Sequence, residues 1–119
     1  MKIMKLSKIA EILQAEFLYG GELEDVEIGR ACGSDLMSDV LCHSMQGSLL
    51  LTGLTNPQVV RTAEMSENSA ICFVRGKKPP AETVDLARKN RIPLLLSSFS
   101  MYLACGRLFT AGLLGCDEA

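Results

Sequence analysis

Tryptophan is absent from this 119-residue chain, and four Phe and two Tyr are its only aromatic residues. A platform for stacking nucleic-acid bases therefore has little to stand on. Lys and Arg number 12 against 14 Asp and Glu, and no basic cluster exceeds Lys77-Lys78, which argues against a nucleic-acid footprint. No apolar run approaches the roughly 18 residues that a membrane span needs. At the amino terminus Lys2, Lys5 and Lys8 break the apolar runs, so no signal-peptide core is expected. The five cysteines, Cys32, Cys42, Cys72, Cys105 and Cys116, contain no Cys-x-x-Cys pair. An odd number without a secretion signal predicts reduced thiols and a cytoplasmic protein. Cys32, Cys42, Cys72 and Cys105 read as small core residues and Cys116 as part of the tail. Zinc sites normally show paired spacing, so no metal is expected.

Catalytic signatures are also missing. The Gly76-Lys77 pair has Ile71 five residues before it and no Ser or Thr after Lys77, so it is not a nucleotide-binding P-loop. No Gly-x-Ser-x-Gly is present, and no Cys-His pair stands in a recognisable context. His43, the only histidine, borders the apolar stripe of a predicted helix, where packing is the better reading than general-base work. Asp35 and Asp39 share a helix face, but carboxylates at a helix start normally serve its dipole. The expectation is no catalytic residue, no cofactor and no enzyme.

What the chain does have is regular apolar periodicity. Leu6, Ile9, Ala10 and Leu13 predict a helix that Ser7 can cap. A short strand in "EFLYGGE" ends at Gly20-Gly21, and Val26, Ile28, Arg30 and Cys32 alternate as a half-exposed strand. Leu36, Met37, Val40 and Leu41 predict a helix capped by Ser34 or Asp35. Then "SLLLTG", "AICFVRG" and "IPLLLSS" follow as short continuous apolar runs, the pattern of strands buried on both faces. Helices are predicted after each: Pro57 to about Met65, Pro80 to about Asn90, and Met101 to about Thr110. Strand-helix units of this kind give parallel strands through right-handed crossovers. The fold class is α/β, and the whole chain, 1–119, is expected to be one domain. Residues 1–32 would supply a helix and strands, 33–114 the β-α repeats, and 115–119 a tail.

In such a sheet, ligands gather where the loops leave the carboxyl ends of the strands. Those loops are "TGLTNP", "RGKKPP" and "SSFS". Asn56 as N-cap and Pro57 at N1 begin a helix whose free amides and dipole suit an anion. The candidate ligand-binding set is Thr52, Gly53, Thr55, Asn56, Arg75, Ser97 and Ser100. Beside it stands the plain structural alternative, in which Asn-Pro only starts a helix, Gly53 only turns the chain, and Ser100 only caps.

Gly33 to Leu113 resembles the DRTGG domain family, through "GSDLMSDVL", "LLTGLTNPQVVRTAEM", "AICFVRGKKP", "IPLL" and "ACGRLF..GL". The literal D-R-T-G-G string is replaced by "GLTNPQVV". The family is similar in fold to the amino-terminal domain of HPr kinase/phosphorylase, which implies a compact α/β sandwich with a mixed, mostly parallel sheet and helices on both faces. Relatives occur fused to phosphotransacetylase-type enzymes and beside CBS pairs, and some stand-alone relatives are associated with iron-only hydrogenase systems. That setting implies regulation and no catalytic residue. Two functions remain open. One is a non-catalytic regulatory domain that senses a small anionic metabolite or nucleotide on the rim. The other is an interaction or dimerisation module, for which an exposed edge strand at Val26 to Cys32 would offer pairing to a second copy in a homodimer.

Overall fold

Every residue of Leu49–Thr52, Ala70–Phe73 and Leu94–Leu96 is buried, as continuous apolar runs in the middle of a parallel sheet must be. The computed structural model describes residues 3–117; Lys2 and the last two residues of the predicted tail lie outside them. In chain order the elements are β1 (Met4–Lys5), α1 (Leu6–Ile12), β2 (Glu16–Tyr19), a 3-10 turn at Gly21–Leu23, β3 (Glu27–Ile28) and β4 (Arg30–Gly33). There follow α2 (Met37–His43), β5 (Leu49–Thr52), α3 (Pro57–Met65), β6 (Ala70–Phe73) and α4 (Ala81–Lys89). The chain closes with β7 (Leu94–Leu96), α5 (Met101–Thr110) and β8 (Leu114–Gly115).

One six-stranded sheet has the order β2-β7-β6-β5-β4-β8, and β1 pairs with β3 in a separate two-stranded ribbon. The six-stranded sheet is parallel throughout except for β2, which runs antiparallel to β7 at one edge. The fold is a single compact α/β domain with a mixed, mostly parallel sheet. Successive side chains of a strand point to opposite faces, and the two cores follow from that alternation. Leu49, Leu51, Ala70, Cys72 and Leu95 meet α1 and α5 on one face. Leu50, Ile71, Phe73, Leu94 and Leu96 meet α2, α3 and α4 on the other. Fully burying each Leu or Ile contributes roughly 1.5–3 kcal/mol relative to exposure.

The crossovers from β4 through β7 all step the same way, so α2, α3 and α4 share one face. To reach β8 beside β4, the chain must recross the sheet, and α5 does so over the opposite face.

Several local expectations are corrected. Ser7 does not cap α1: Lys5 holds the cap position without a side-chain bond, and the Ser7 amide donates to Glu24 O at 2.8 Å. The predicted strand from Val26 to Cys32 is broken at Gly29. Its first part pairs with β1, and its second, β4, lies between β5 and β8 and is not an edge. The edges are β2 and β8. In α2 only Val40 is fully buried; Leu41 is exposed, as is Leu36 just before the helix. Among the cysteines Cys72 is buried, Cys42 is exposed, and Cys32, Cys105 and Cys116 are half-buried. Cys105 packs against the core from a groove at the β4–β8 side of the sheet, and Cys32 lines the same groove.

Candidate functional site

The carboxyl ends of β4, β5, β6 and β7 open on one rim, as parallel order requires. At the end of β4 the chain turns sharply. Ser34 Oγ accepts from the Leu36 amide at 3.0 Å, and α2 starts behind Leu36 without a side-chain cap. The turn sends Asp35 away from its own helix and onto the next strand's exit. Asp35 Oδ1 accepts from the buried Gly53 amide at 2.6 Å and from Thr52 Oγ1 at 3.2 Å. Neither Ser34 nor Asp35 caps α2. Asp35 fastens the β4 loop to the β5–α3 turn.

The turn itself is closely tied. The Thr52 hydroxyl, fully buried, also accepts from the Leu54 amide at 3.2 Å. Thr55 O accepts from Thr83 Oγ1 of α4 at 2.8 Å. Asn56 occupies the N-cap of α3 with extended backbone, but its side chain makes no capping bond. Pro57 at N1 removes one donor that would otherwise need an acceptor, and the Val59 amide is satisfied by Asn56 O at 3.1 Å.

β6 exits toward α4 on one face and β7 toward α5 on the other. Adjacent strands whose connections part in this way form a topological switch point, the usual crevice for ligands in open α/β sheets. Here the crevice is bridged by backbone: the Arg75 amide donates to Phe99 O at 2.7 Å, and Gly76 N to Ser97 O at 2.9 Å. The bridge holds Arg75 at φ +60, a left-handed conformation that few residues other than glycine adopt. Its consequence is the direction of the side chain. The Arg75 guanidinium lies over Gly53: a methyl placed there would be 3.1 Å from Cζ and in closer conflict with Nη2, and 3.4 Å from Asp35 Oδ1. Among the described residues Arg75 forms no ion pair, the three pairs being Lys5–Asp25, Lys8–Glu11 and Arg88–Asp85.

The structure thus brings Thr52, Gly53, Thr55, Asn56 and Arg75 to one place at the start of α3. Ser97 and Ser100 stand apart. The Ser97 hydroxyl is fully buried, donates to Leu13 O at 2.8 Å and accepts from the Phe99 amide at 3.2 Å. Ser100 caps α5, its Oγ accepting from Leu103 N at 3.1 Å. Arg107, also near this loop, has its guanidinium 5.4 Å from the centroid of the Phe99 ring. Asp35 joins the site unannounced; its one signal in the sequence is the Gly-Ser-Asp break after β4, which reads equally well as a cap.

A concavity of about 860 Å³ adjoins the rim at Gly33 and Ser34 and runs between α5 and the β4–β8 edge. Its thiols differ in character. Burial pushes Cys105 up, as it pushes the enclosed Cys72 up to about 12. Cys116 is lowered to about 6, first by a hydrogen bond from Cys32 and then, against the opposing effect of burial, by the Met45 backbone, Ser48 and Arg30. Cys32 moves upward in turn, because its proton is held against the Cys116 sulfur. No group of three or more His, Cys, Asp or Glu among the described residues is arranged to hold a metal ion.

Comparison with known proteins bears on the fold. No family model matches the sequence, and no curated protein matches it significantly. Among solved structures the chain is similar to the CBS and DRTGG domains of the regulatory region of Clostridium perfringens pyrophosphatase, solved in complex with its activator, diadenosine tetraphosphate. The TM-score is 0.68 at 18% identity, covering 87% of this chain and 45% of that one. The chain therefore spans less than half the length of that regulatory region, and the likeness shows the fold: this is a DRTGG-like α/β domain. No helix of the described residues is long and apolar enough to cross a membrane.

Proposed function

We propose that this domain is a non-catalytic regulatory module that senses a small anionic metabolite or nucleotide at the carboxyl-end rim, in the cytoplasm. The observation that carries the reading is the Arg75 guanidinium, set over the Gly53 turn by a left-handed backbone and left without an ion pair among the described residues. A cation beside the start of a helix complements a phosphate or carboxylate. The exposed Lys77 and Lys78 extend the same loop. Gly53 N–H is already taken by Asp35, so the ligand would meet Arg75 and the turn from Thr55 to Asn56, and not displace Asp35. Thr52 supports this site from beneath, while Ser97 and Ser100 belong to its scaffold. The similar pyrophosphatase region, solved with a nucleotide activator, gives the choice of nucleotide a precedent.

The test is a thermal-shift series with ATP, ADP, diadenosine tetraphosphate, acetyl phosphate and inorganic phosphate. A ligand at a hundred times its Kd should stabilise the protein by about 2.7 kcal/mol. Arg75→Ala should abolish that shift and leave the unliganded melting temperature nearly unchanged. If no probe stabilises the wild type, or if Arg75→Ala responds as the wild type does, the sensor reading fails.

One observation favours the second reading, a dimerisation or docking module. On α5, Tyr102, Leu103 and Phe109 are exposed, Tyr102 by 90%; apolar residues gathered in this way mark interaction surfaces. A symmetric homodimer through α5 would bury them. Light scattering that finds only monomer at high concentration would remove the dimer.

A further inference from the structure

We infer that Cys32 and Cys116 form a peroxide-sensitive thiol pair, a site of reversible covalent modification that joins the last strand to the sheet. β8 runs parallel to β4 in the register Arg30↔Leu114 and Ala31↔Gly115. The Cys116 amide carries the ladder onward by donating to Ala31 O at 3.2 Å. Cys116 therefore stands beside Cys32, and register partners in a parallel ladder share a face. Neighbouring strands lie about 4.8 Å apart, inside the window of about 4.4–6.8 Å between α-carbons that a disulfide spans. Both residues are half-buried, and both line the open groove of about 860 Å³ through which a small oxidant can enter.

The surroundings favour Cys116 as the attacking sulfur. Cys32 first, then the Met45 backbone and Arg30, hold it toward the thiolate. The other titratable groups facing the groove are Asp39 and His43 from α2, Tyr102 and Cys105 from α5, and Asp117. A thiolate at Cys116 attacks one oxygen of hydrogen peroxide. The O–O bond breaks, and the released hydroxide takes a solvent proton to become water. Cys116 is left as a sulfenic acid. Cys32 Sγ then attacks Cys116 Sγ, the S–O bond breaks, and the hydroxyl leaves with the Cys32 proton as a second water. In total two thiols are oxidised to one disulfide, and one peroxide is reduced to two waters. The bridge would fix β8 to β4 three residues before Asp35, the side chain that fastens the rim.

The experiment treats the reduced full chain with hydrogen peroxide, blocks remaining thiols with N-ethylmaleimide, and maps the digest by mass spectrometry. The expected product is an intramolecular Cys32–Cys116 peptide, reversed by dithiothreitol, with the exposed Cys42 still blocked by maleimide. In Cys32→Ser, dimedone should trap a sulfenic acid at Cys116. Untreated wild type supplies a measurement that needs no variant. Iodoacetamide should label Cys116 with a pH midpoint near 6, and at pH 6 about tenfold faster than a free-cysteine peptide of ordinary pKa near about 8.5, after allowing for its weaker nucleophilicity. Oxidation of Cys42 ahead of Cys116, a bridge between two chains, or a labelling midpoint for Cys116 above 8 would overturn the inference.

Discussion

Asp35→Ala is the substitution that most directly tests how the rim is built. Asp35 Oδ1 holds the Gly53 amide at 2.6 Å and the Thr52 hydroxyl at 3.2 Å. A hydrogen bond to a charged group contributes about 1.5–3 kcal/mol, and a buried donor left unsatisfied costs about 1–3 kcal/mol. Asp35 itself is exposed, so water can replace part of what is lost, and Thr52 keeps its bond from the Leu54 amide. The expected loss is about 2 kcal/mol, which for a domain of this size lowers the melting temperature by about 6–10 °C. Asp35→Asn, which retains an acceptor without the charge, should lose roughly half as much. Asp39→Ala, on the neighbouring exposed turn, should stay within about 0.5 kcal/mol of wild type. Because Asp35 acts as a built-in anion, acetate should raise the melting temperature of Asp35→Ala and leave wild type unmoved. The assay is thermal or urea unfolding of the three variants. An Asp35→Ala protein as stable as Asp39→Ala would refute the reasoning, since the fastening would then contribute nothing.

Four further substitutions can be checked by the same unfolding measurements. Ser100→Ala should cost about 1 kcal/mol because its hydroxyl caps α5, whereas Asn56→Ala should cost less than about 0.5 kcal/mol, since its side chain caps nothing in α3. Gly53→Ala should change stability by no more than about 1 kcal/mol: the new methyl meets the end of a flexible arginine, yet by displacing Arg75 it should abolish stabilisation by ATP or phosphate. Leu50→Ala, fully buried against α3 and its neighbours, should lose about 2–5 kcal/mol.

The sheet was legible because the burial it demands is written at every position. Leu49 to Thr52 and Ala70 to Phe73 must be apolar on both faces, and no helix period competes with so short a run. The amino-terminal third was less legible. Val26 to Cys32 alternates like one strand, but Gly29 divides it between two sheets, and nothing local distinguishes a bend from a continuation. β8 escaped for a different reason: two residues, Leu114 and Gly115, carry no periodicity, and their pairing with β4 depends on α5 recrossing the whole sheet. Without β8, β4 reads as an exposed edge and Cys116 as a tail residue.

The rim shows the same limit at the scale of single side chains. Parallel order was enough to bring the loops after β5, β6 and β7 to one end, and so to place Arg75 near the start of α3. It was not enough to say which polar groups would remain available there. Asn56, Ser97 and Ser100 are the residue types that bind anions, cap helices and satisfy buried backbone with equal chemical ease. Which task each performs is decided by neighbours far away in sequence. Ser97 is claimed by Leu13 O, 84 residues earlier, and Gly53 N–H by a carboxylate 18 residues before it. What survives that competition is the cation. Arg75 takes its direction from a backbone bond to Phe99 O, so a Phe99 loop that shifts should also move the guanidinium.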